Sequence, residues 1–254
     1  MSVYAISDIH GHLDIYQQVK DFIKPHDTVY CLGDCGDRGP RGFETICAVY
    51  QDPQWHYLKG NHEDMLVRAI QEAKYDDYDL ASMMLVQNGG YDTLEGFRRD
   101  AEINGHEKLG MWQNRLDKLG HSWRYHNKHG KTIWLTHSGC TPPADPYTPA
   151  NWAGIDVLWD RHHFLDKWPE ELEDHIMVHG HTPIHHLITR LNGTSRRIDA
   201  VEKIISEEQK NGPIGAVWYC NNHKVDIDCG TFYSKYATLL NLDTFEEHIF
   251  KTEE

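Results

Sequence analysis

The chain has 254 residues, with 25 Lys and Arg against 39 Asp and Glu, for a formal charge of −14. Hydrophobic residues make up 39% and charged residues 25%, which are globular proportions that exclude collagen-like, low-complexity and wholly disordered chains. A surface for duplex nucleic acid needs clustered cations, and the negative charge and the lack of Lys or Arg runs longer than two exclude one.

Five short apolar runs, each ending in a polar or glycine turn, predict buried strands. In chain order they are residues 3–6, 28–32, 55–58, 132–136 and 175–178. Apolar residues at helical spacing predict helices near 13–23 and 43–50, between the first three strands. The alternation of strand and helix predicts an α/β fold with βαβ units and a largely parallel sheet.

Residues from about 63 to 130 predict a helical insertion between two of these strands. Three apolar stripes at helical spacing run through this range, and Asn-Gly pairs separate them. Further along, the polar segment 192–213 predicts a mobile loop. Residues 216–220 and 224–227 predict a hairpin because Asn221 and Asn222 between them tolerate positive φ, and 236–240 with 248–250 predict a second strand pair.

The sequence predicts a cytoplasmic protein with reduced thiols and no membrane partner. The N-terminal segment lacks the basic start of a signal peptide and reaches Asp8 after a few apolar residues. No apolar run approaches the ~20 residues of a membrane span. The six cysteines form no CxxC pair and no zinc-finger spacing.

Residues with metal-ligand chemistry follow the five predicted strands, and in open α/β sheets ligands bind beyond the carboxyl ends of strands. They are Asp8, His10, Asp34, Asn61, His137 and His181. Asp8 and His10 are two residues apart, so an extended backbone would point both the same way. Any one of the six alone would be an ordinary turn residue, but six at five consecutive strand ends indicate a metal site.

The ligand types in this set favour particular ions. Two carboxylates, one amide oxygen and three imidazoles suit first-row ions such as Mn²⁺, Fe²⁺ or Zn²⁺ better than Ca²⁺, which prefers oxygen throughout. Two such ions would carry more positive charge than the two carboxylates neutralise. The surplus would attract a phosphate and lower the pKa of a water shared between the ions.

The motifs around these residues occur in a fixed order. They are Asp8–Gly11 (DIHG), Gly33–Gly39 (GDCGDRG), Gly60–Glu63 (GNHE), His137 and Gly180–Thr182 (GHT). This order resembles the signature of the calcineurin-like metallophosphoesterases and, within them, the phosphoprotein phosphatase (PPP) family, especially its small bacterial and bacteriophage serine/threonine protein phosphatases. The resemblance implies one metallophosphoesterase domain over residues 1–254, a β-sandwich flanked by helices, with a helical insertion at about 63–130.

The resemblance also implies how the metals are held. Asp8, His10 and Asp34 would hold the first ion. The second would be held by Asp34, Asn61, His137 and His181, with Asp34 bridging the two. The expected cofactors are two divalent ions, with Mn²⁺ favoured and Fe or Zn as alternatives.

The catalytic roles follow from the same resemblance. His62 would be the general acid that protonates the leaving oxygen, and Asp37 would orient it. Arg38 would bind phosphate oxygens with its fork of donors, a geometry that lysine cannot reproduce. Arg161, in the segment Trp159-Asp160-Arg161, would be a second phosphate-binding arginine.

The implied activity is hydrolysis of a phosphoric monoester in a phosphorylated protein, a peptide or a small phosphoester. The nearest alternative is a symmetrical bis(5'-nucleosyl)-tetraphosphate (Ap4A) hydrolase, a family that usually lacks an acidic residue at Asp37 and often has Asp in place of Glu63. A phosphodiesterase of the same superfamily is a further alternative, but such enzymes usually lack the arginine at Arg38. A catalytically inactive scaffold would have lost a ligand or the acid, and this sequence keeps both.

Other histidines are assigned lesser roles. His12 is expected to support the site from behind or to face solvent. The neighbouring pairs His162–His163 and His185–His186 are expected at the surface. The turn Asp228-Cys229-Gly230 is expected at most to support the site, and Cys35 to be a buried, inert thiol.

Overall fold

The five apolar runs form strands, as the sequence predicts. The computed structural model describes residues 1–73, 80–143, 145–147, 155–193 and 198–253. Its strands are β1 (Val3–Ile6), β2 (Thr28–Cys31), β3 (Trp55–Tyr57), β4 (Ser122–His126), β5 (Thr132–Thr136), β6 (His175–His179), β7 (Val217–Tyr219), β8 (Lys224–Asp226), β9 (Tyr236–Asn241) and β10 (Glu247–Lys251). Both hairpins predicted in the C-terminal part are present, as antiparallel pairs β7–β8 and β9–β10.

The helices of the described residues fill the connections between strands. They are α1 (Leu13–Phe22), α2 (Gly42–Gln51), α3 (Asn61–Ala73), α4 (Leu80–Gln87), α5 (Tyr91–Asn104), α6 (Glu107–Asp117), α7 (Ile184–Leu191), α8 (Ile198–Asn211) and α9 (Thr231–Ser234). Two short 3-10 turns lie between β5 and β6. No helix in these ranges is both long enough and apolar enough to cross a membrane.

The strands form two mixed sheets of five strands each. The first has the order β10-β9-β1-β2-β3 and the second the order β4-β5-β6-β8-β7. The parallel strands β1, β2 and β3 lie together in the first sheet, and β5, β6 and β8 lie together in the second. The largely parallel pairing predicted from the alternation of strand and helix holds for these inner strands but not for the antiparallel strands at the sheet edges. The sandwich with flanking helices implied by the family resemblance is confirmed.

Residues of β1 alternate between two cores, as the period-2 geometry of a strand requires. Val3 and Ala5 pack with residues of the second sheet, among them Ile133 and Val178, in the core between the sheets. Tyr4 and Ile6 belong to the core that the first sheet shares with its helices. The sandwich therefore buries both faces of β1, and all four of its residues are buried.

Helices α3 to α6 lie between β3 and β4, and they occupy most of the range 63–130. The last of these helices, α6, ends at Asp117. Residues Ser122–His126, near the end of the predicted insertion, form the edge strand β4, which pairs with β5. The predicted mobile loop over 192–213 is wrong for its larger part, because Ile198–Asn211 form α8. Residues 194–197 of that prediction lie outside the described ranges.

Candidate metal centre

Most of the predicted site residues sit in sharply turned loops at the carboxyl ends of the strands, and Asn61 and His62 begin α3. Positive φ angles occur at Asp8 (53°), His10 (43°), Asp34 (55°), Asp37 (64°), Arg38 (62°) and His181 (69°). The extended backbone expected between Asp8 and His10 is therefore wrong. Left-handed backbone costs about 1–2 kcal/mol for each L-residue, so the surrounding contacts must hold these turns, and such strain is concentrated at functional sites.

Two glycines let the loops approach the carboxylates closely. A Cβ on Gly60 would lie 2.1 Å from Oδ1 of Asp34, and one on Gly180 would lie 2.2 Å from Oδ2 of Asp8. Both are shorter than any real Cβ contact, so a side chain at either position would displace a carboxylate. The glycines of the GNHE and GHT motifs are thus explained by space around the carboxylates.

Glu63 anchors the loop that carries Asp34. One carboxylate oxygen accepts hydrogen bonds from the backbone N–H groups of Asp34 and Gly60, each at 2.8 Å. The other accepts from the backbone N–H of Cys35 at 3.0 Å and from the hydroxyl of Tyr57 at 2.6 Å. The fully buried Glu63 therefore joins the second and third motifs, a structural role that its residue type alone did not reveal.

One cluster of ligand atoms forms around the amide of Asn61. Oδ1 of Asn61 lies 2.8 Å from Nε2 of His137 and 2.8 Å from Nδ1 of His181, and the two ring nitrogens are 3.2 Å apart. Oδ1 of Asp34 lies 3.4 Å from Nε2 of His137. All four side chains are buried. The structure thus brings together every residue predicted for the second ion.

A second cluster forms on the other side of Asp34. Nε2 of His10 lies 3.8 Å from Oδ1 of Asp8 and 3.9 Å from Oδ2 of Asp34. His62 also reaches this cluster, with Nε2 3.8 Å from Oδ2 of Asp34. The two carboxylate oxygens of Asp34 therefore face different clusters, which is the arrangement that a bridging ligand requires.

The donor set fits divalent cations. Nδ1 of His10 lies 3.0 Å from the carbonyl of Gly36 and Nδ1 of His137 lies 2.9 Å from the carbonyl of Leu32. Each Nδ1–H donates there, which leaves the Nε2 lone pair facing the cluster, as a metal-ligating histidine requires. In the second-ion cluster the Nε2 lone pair of His137 therefore faces the oxygens of Asn61 and Asp34, and only a proton or a cation relieves that contact.

The pKa values of the site histidines shift in different directions. Burial lowers the pKa of His137, but the carboxylates of Asp34, Asp8 and Glu63 together outweigh burial and raise it to about 10, so this ring must lose a proton before it can hold an ion. Burial opposes ionisation of Asp34, yet His137 and then His62 hold its pKa well below the ordinary value. Burial lowers the pKa of His10 and His181 well below the ordinary value, so these rings are neutral, as ligands must be.

His62 is held between an acid and an arginine. Its Nδ1 lies 2.6 Å from Oδ2 of Asp37, and its Nε2 accepts from Arg38 at 2.9 Å. The other arm of the Arg38 fork donates to Nε2 of His10 at 2.7 Å. Burial lowers the pKa of His62, but the charges of Asp34 and Asp37 outweigh burial and raise it. Since His10 cannot both hold a cation and accept from Arg38, a bound cation would release that arm of the fork.

Arg161 lies at the rim of the second-ion cluster. Its Nε donates to the hydroxyl of Thr182 at 3.0 Å and one terminal nitrogen donates to the carbonyl of His181 at 3.4 Å. Burial lowers its pKa, and the carboxylates of Asp228, Asp8 and Asp34 act against burial. The structure therefore places Arg161 beside the GHT motif, within the electrostatic range of both predicted metal-binding carboxylates.

Other predicted assignments need correction. His163 and His185 are fully buried, so the surface position expected for each histidine pair holds only for the partners His162 and His186. His12 is buried, which excludes the solvent-facing alternative, and its ring contacts the hydroxyl of Thr252 at 3.1 Å.

The insertion supports the loop that carries Asp37 and Arg38, which the sequence did not reveal. The backbone N–H of Arg38 donates to the carbonyl of Gly89, at 2.8 Å, in the turn between α4 and α5. The backbone N–H of Asp37 donates to the hydroxyl of Thr93 at 3.0 Å. The sequence Asn88-Gly89-Gly90 predicts only a break between two helices. Nothing in it indicates that the carbonyl of Gly89 accepts a hydrogen bond from Arg38.

The two sheets, with two clusters of carboxylate, amide and imidazole ligands at one edge, define the class of metal-dependent phosphoesterases. A family model described as "Calcineurin-like phosphoesterase" matches residues 1–227. The chain belongs to this family, whose members hydrolyse phosphate esters with two metal ions.

Curated relatives are similar over part of the chain. A protein of Chromobacterium violaceum named "Bis(5'-nucleosyl)-tetraphosphatase, symmetrical" is 37% identical over 76 residues, which are 28% of this chain and 27% of that protein. A protein of the same name from Delftia acidovorans is 29% identical over 147 residues, which are 56% of this chain and 46% of that protein. The chain thus matches less than half the length of either relative.

Solved structures share the fold at low sequence identity. A metallophosphoesterase from Sphaerobacter thermophilus has a TM-score of 0.50 at 15% identity, covering 100% of this chain and 88% of that one. A cold-active protein-tyrosine phosphatase of a psychrophilic Shewanella species has a TM-score of 0.51 at 16% identity, covering 99% of this chain and 80% of that one. At such identities the likeness supports the fold alone.

Proposed function

We propose that the chain is a phosphoric monoester hydrolase that uses two metal ions, most similar in chemistry to the PPP serine/threonine protein phosphatases. The observation that carries the proposal is the 2.6 Å contact between Nδ1 of His62 and Oδ2 of Asp37, beside the bridging carboxylate of Asp34. Once the Arg38 contact is released and Nε2 is protonated, a histidine held in this way can donate that proton to a leaving oxygen, as a general acid does.

In this proposal Asp8, His10 and Asp34 hold one ion, and Asp34, Asn61, His137 and His181 hold the other. Two divalent ions, Mn²⁺ in our proposal, supply Lewis acidity and an activated water. The chain itself supplies the geometry. The backbone N–H of His62 donates to Oδ1 of Asp34 at 3.0 Å, so the acid and the bridging ligand are fixed relative to each other.

Arg38 serves as the phosphate-binding group of the proposed enzyme. Its planar fork presents two parallel donors, the geometry that phosphate oxygens match best. It is exposed at the rim, next to both His10 and His62. A phosphate bound there lies between the metal ligands and the acid, so that one residue aligns the substrate with both.

A symmetrical Ap4A hydrolase is the second candidate, because both curated relatives described above carry that name. The two activities share the metal-binding core and differ in the leaving group, which is a nucleotide rather than a serine or threonine side chain. Asp37 and Glu63 favour the phosphatase, since the hydrolase family usually lacks the first and often has Asp in place of the second.

A hydrolysis panel with added Mn²⁺ separates the candidates. It compares phosphoserine, phosphothreonine and phosphotyrosine peptides, diadenosine tetraphosphate and a cyclic nucleotide, each with and without chelator. We expect the peptides to be hydrolysed faster than diadenosine tetraphosphate and the cyclic nucleotide. Faster cleavage of diadenosine tetraphosphate would replace the phosphatase by the second candidate, and near-normal turnover after chelation would refute the two-metal chemistry.

Arg38→Ala is expected to raise KM and lower kcat together while metal content stays unchanged. The reason is that Arg38 binds phosphate oxygens in both the ground state and the transition state and holds no ion. Steady-state kinetics with an aryl phosphate, together with metal analysis, check this. Arg161→Ala is the parallel test of the second arginine. Loss of metal in Arg38→Ala would mean that Arg38 is structural.

A further inference from the structure

An aromatic side chain that no motif includes lies against Arg38. Phe232, the second residue of α9, is 42% exposed, and the central carbon of the Arg38 guanidinium is 5.2 Å from the centre of its ring. This distance is within the range of a cation–π interaction. The ring of Phe232 thus borders the proposed phosphate-binding group.

The ring is held from behind by its neighbour in the chain. Tyr233 packs edge-on against Phe232, with ring centres 4.9 Å apart. The turn that precedes them is fixed by Gly230 in the left-handed conformation, whose N–H donates to Asp228 at 2.7 Å. The ring of Tyr233 lies so close to Gly230 that a Cβ there would be 2.4 Å from it.

A buried hydrogen-bonded pair, His185 and Glu208, fixes Tyr233 in turn. The hydroxyl of Tyr233 lies 3.2 Å from Nδ1 of His185, and Nε2 of His185 lies 2.7 Å from Oε2 of Glu208 in α8. The other oxygen of Glu208 accepts from the backbone N–H of Ile214 at 2.8 Å. His185 and Glu208 are both buried, so a fully satisfied polar network of this kind favours one arrangement.

Arg38 has a particular need for such a support. Its guanidinium donates to His10 and to His62, and the proposed function gives the first a metal and the second a leaving oxygen. When those bonds are given up, the ring of Phe232 still faces the guanidinium. A long, exposed arginine otherwise loses much rotamer freedom on binding phosphate.

We propose that Phe232 is a positioning residue that holds the Arg38 fork toward the substrate phosphate, and that the buried His185–Glu208 pair keeps its ring in place. The inference rests on the proposed role of Arg38 as phosphate-binding group. It adds α8 and α9, which carry none of the family motifs, to the parts of the chain that determine substrate affinity.

The test compares Phe232→Leu, which removes the ring, with Phe232→Tyr, which keeps it. KM for p-nitrophenyl phosphate and the inhibition constant of inorganic phosphate are both expected to rise about two- to fivefold in Phe232→Leu, the scale of an exposed cation–π contact, and to stay near the parent value in Phe232→Tyr. Metal content is expected to be unchanged in both. Unchanged KM and inhibition constants in Phe232→Leu would overturn the proposal.

A double-mutant cycle decides whether Phe232 acts through Arg38. In an Arg38→Ala background, Phe232→Leu is expected to cause no further rise in KM. Full additivity of the two changes would show a separate role for the ring and overturn the proposal. If instead Arg38→Ala alone leaves KM unchanged, the proposed role of Arg38 in phosphate binding is wrong. This outcome differs from additivity, which contradicts only the role of Phe232.

The support from α8 is tested with neighbouring glutamates. Glu208→Ala breaks the buried pair and is expected to reproduce the rise in KM of Phe232→Leu, with some loss of thermal stability. Glu207→Ala removes an exposed side chain of the same helix and is the control expected to change neither. Should Glu208→Ala not fold, Tyr233→Phe removes only the hydroxyl that contacts His185, and an unchanged KM in that variant would overturn this part of the proposal.

Discussion

Asp34→Asn is expected to lose bound metal and to lower the rate of phosphoester hydrolysis by at least about a hundredfold. The two carboxylate oxygens of Asp34 face different clusters, 3.4 Å from His137 on one side and 3.9 Å from His10 on the other. The substitution removes one negative charge from the surroundings of both ions at once. It also replaces one acceptor oxygen with an amide N–H₂ that repels a cation.

The measurement is metal content by elemental analysis, together with turnover of an aryl phosphate at saturating Mn²⁺. Asp27→Asn is a matched control, because Asp27 is also buried and precedes the same strand β2 at its opposite end, where it accepts hydrogen bonds from the backbone N–H groups of Ser2 and Lys24. It is expected to affect stability and to leave metal content unchanged. Normal metal content in Asp34→Asn would contradict a bridging role.

The sequence predicted the inner strands well because they are buried on both faces. Val3–Ile6 and Thr132–Thr136 lie between two layers, so they read as unbroken apolar runs that local pattern can identify. Their carboxyl ends then locate the polar loops. The same pattern cannot say which strands share a sheet, because strand pairing is a long-range property, so the division into two mixed sheets did not follow from the apolar runs.

The elements that the sequence did not predict have physical reasons of their own. β4 is a short edge strand whose residues are mostly exposed, and its alternation rests on only two aromatic residues, Trp123 and Tyr125. α8 was predicted as a loop because of its polar composition, yet Val201, Ile204 and Ile205 have helical spacing and the signal was present. Its anchor, the pairing of Glu208 with His185, joins residues 23 apart in the chain and no local pattern contains it.

At the site, the sequence predicted the residues but not the way they are held. The order of the motifs identified the metal-binding candidates, and the structure places their side chains close together. The left-handed turns at Asp8 and His10 replace the extended backbone that was expected. The supporting contacts of Glu63 and Thr93 could not be predicted from the sequence. Both side chains accept hydrogen bonds from backbone N–H groups, which every residue except proline carries, so no residue type marks the partner.

His62→Asn is expected to keep both metal ions and to lose activity in proportion to how poor the leaving group is. A general acid typically contributes ~10²–10⁴-fold when the leaving oxygen must be protonated in the transition state. The alkoxide of serine or threonine is such a leaving group, whereas nitrophenolate leaves readily without a proton. The variant should therefore lose most of its activity on phosphoserine peptides and clearly less on aryl phosphates.

Asp37→Asn is expected to show the same pattern more mildly, because Asp37 contacts only Nδ1 of the His62 ring and stabilises its protonated form. His56→Asn, at a partly exposed histidine in β3, is the matched control and should leave the activity on both substrate types unchanged. The decisive measurement is the ratio of kcat/KM for the two substrate types in each variant. Equal losses on both types would mean that His62 positions phosphate, and loss of an ion would mean that His62, which lies 3.8 Å from Oδ2 of Asp34, is itself a ligand.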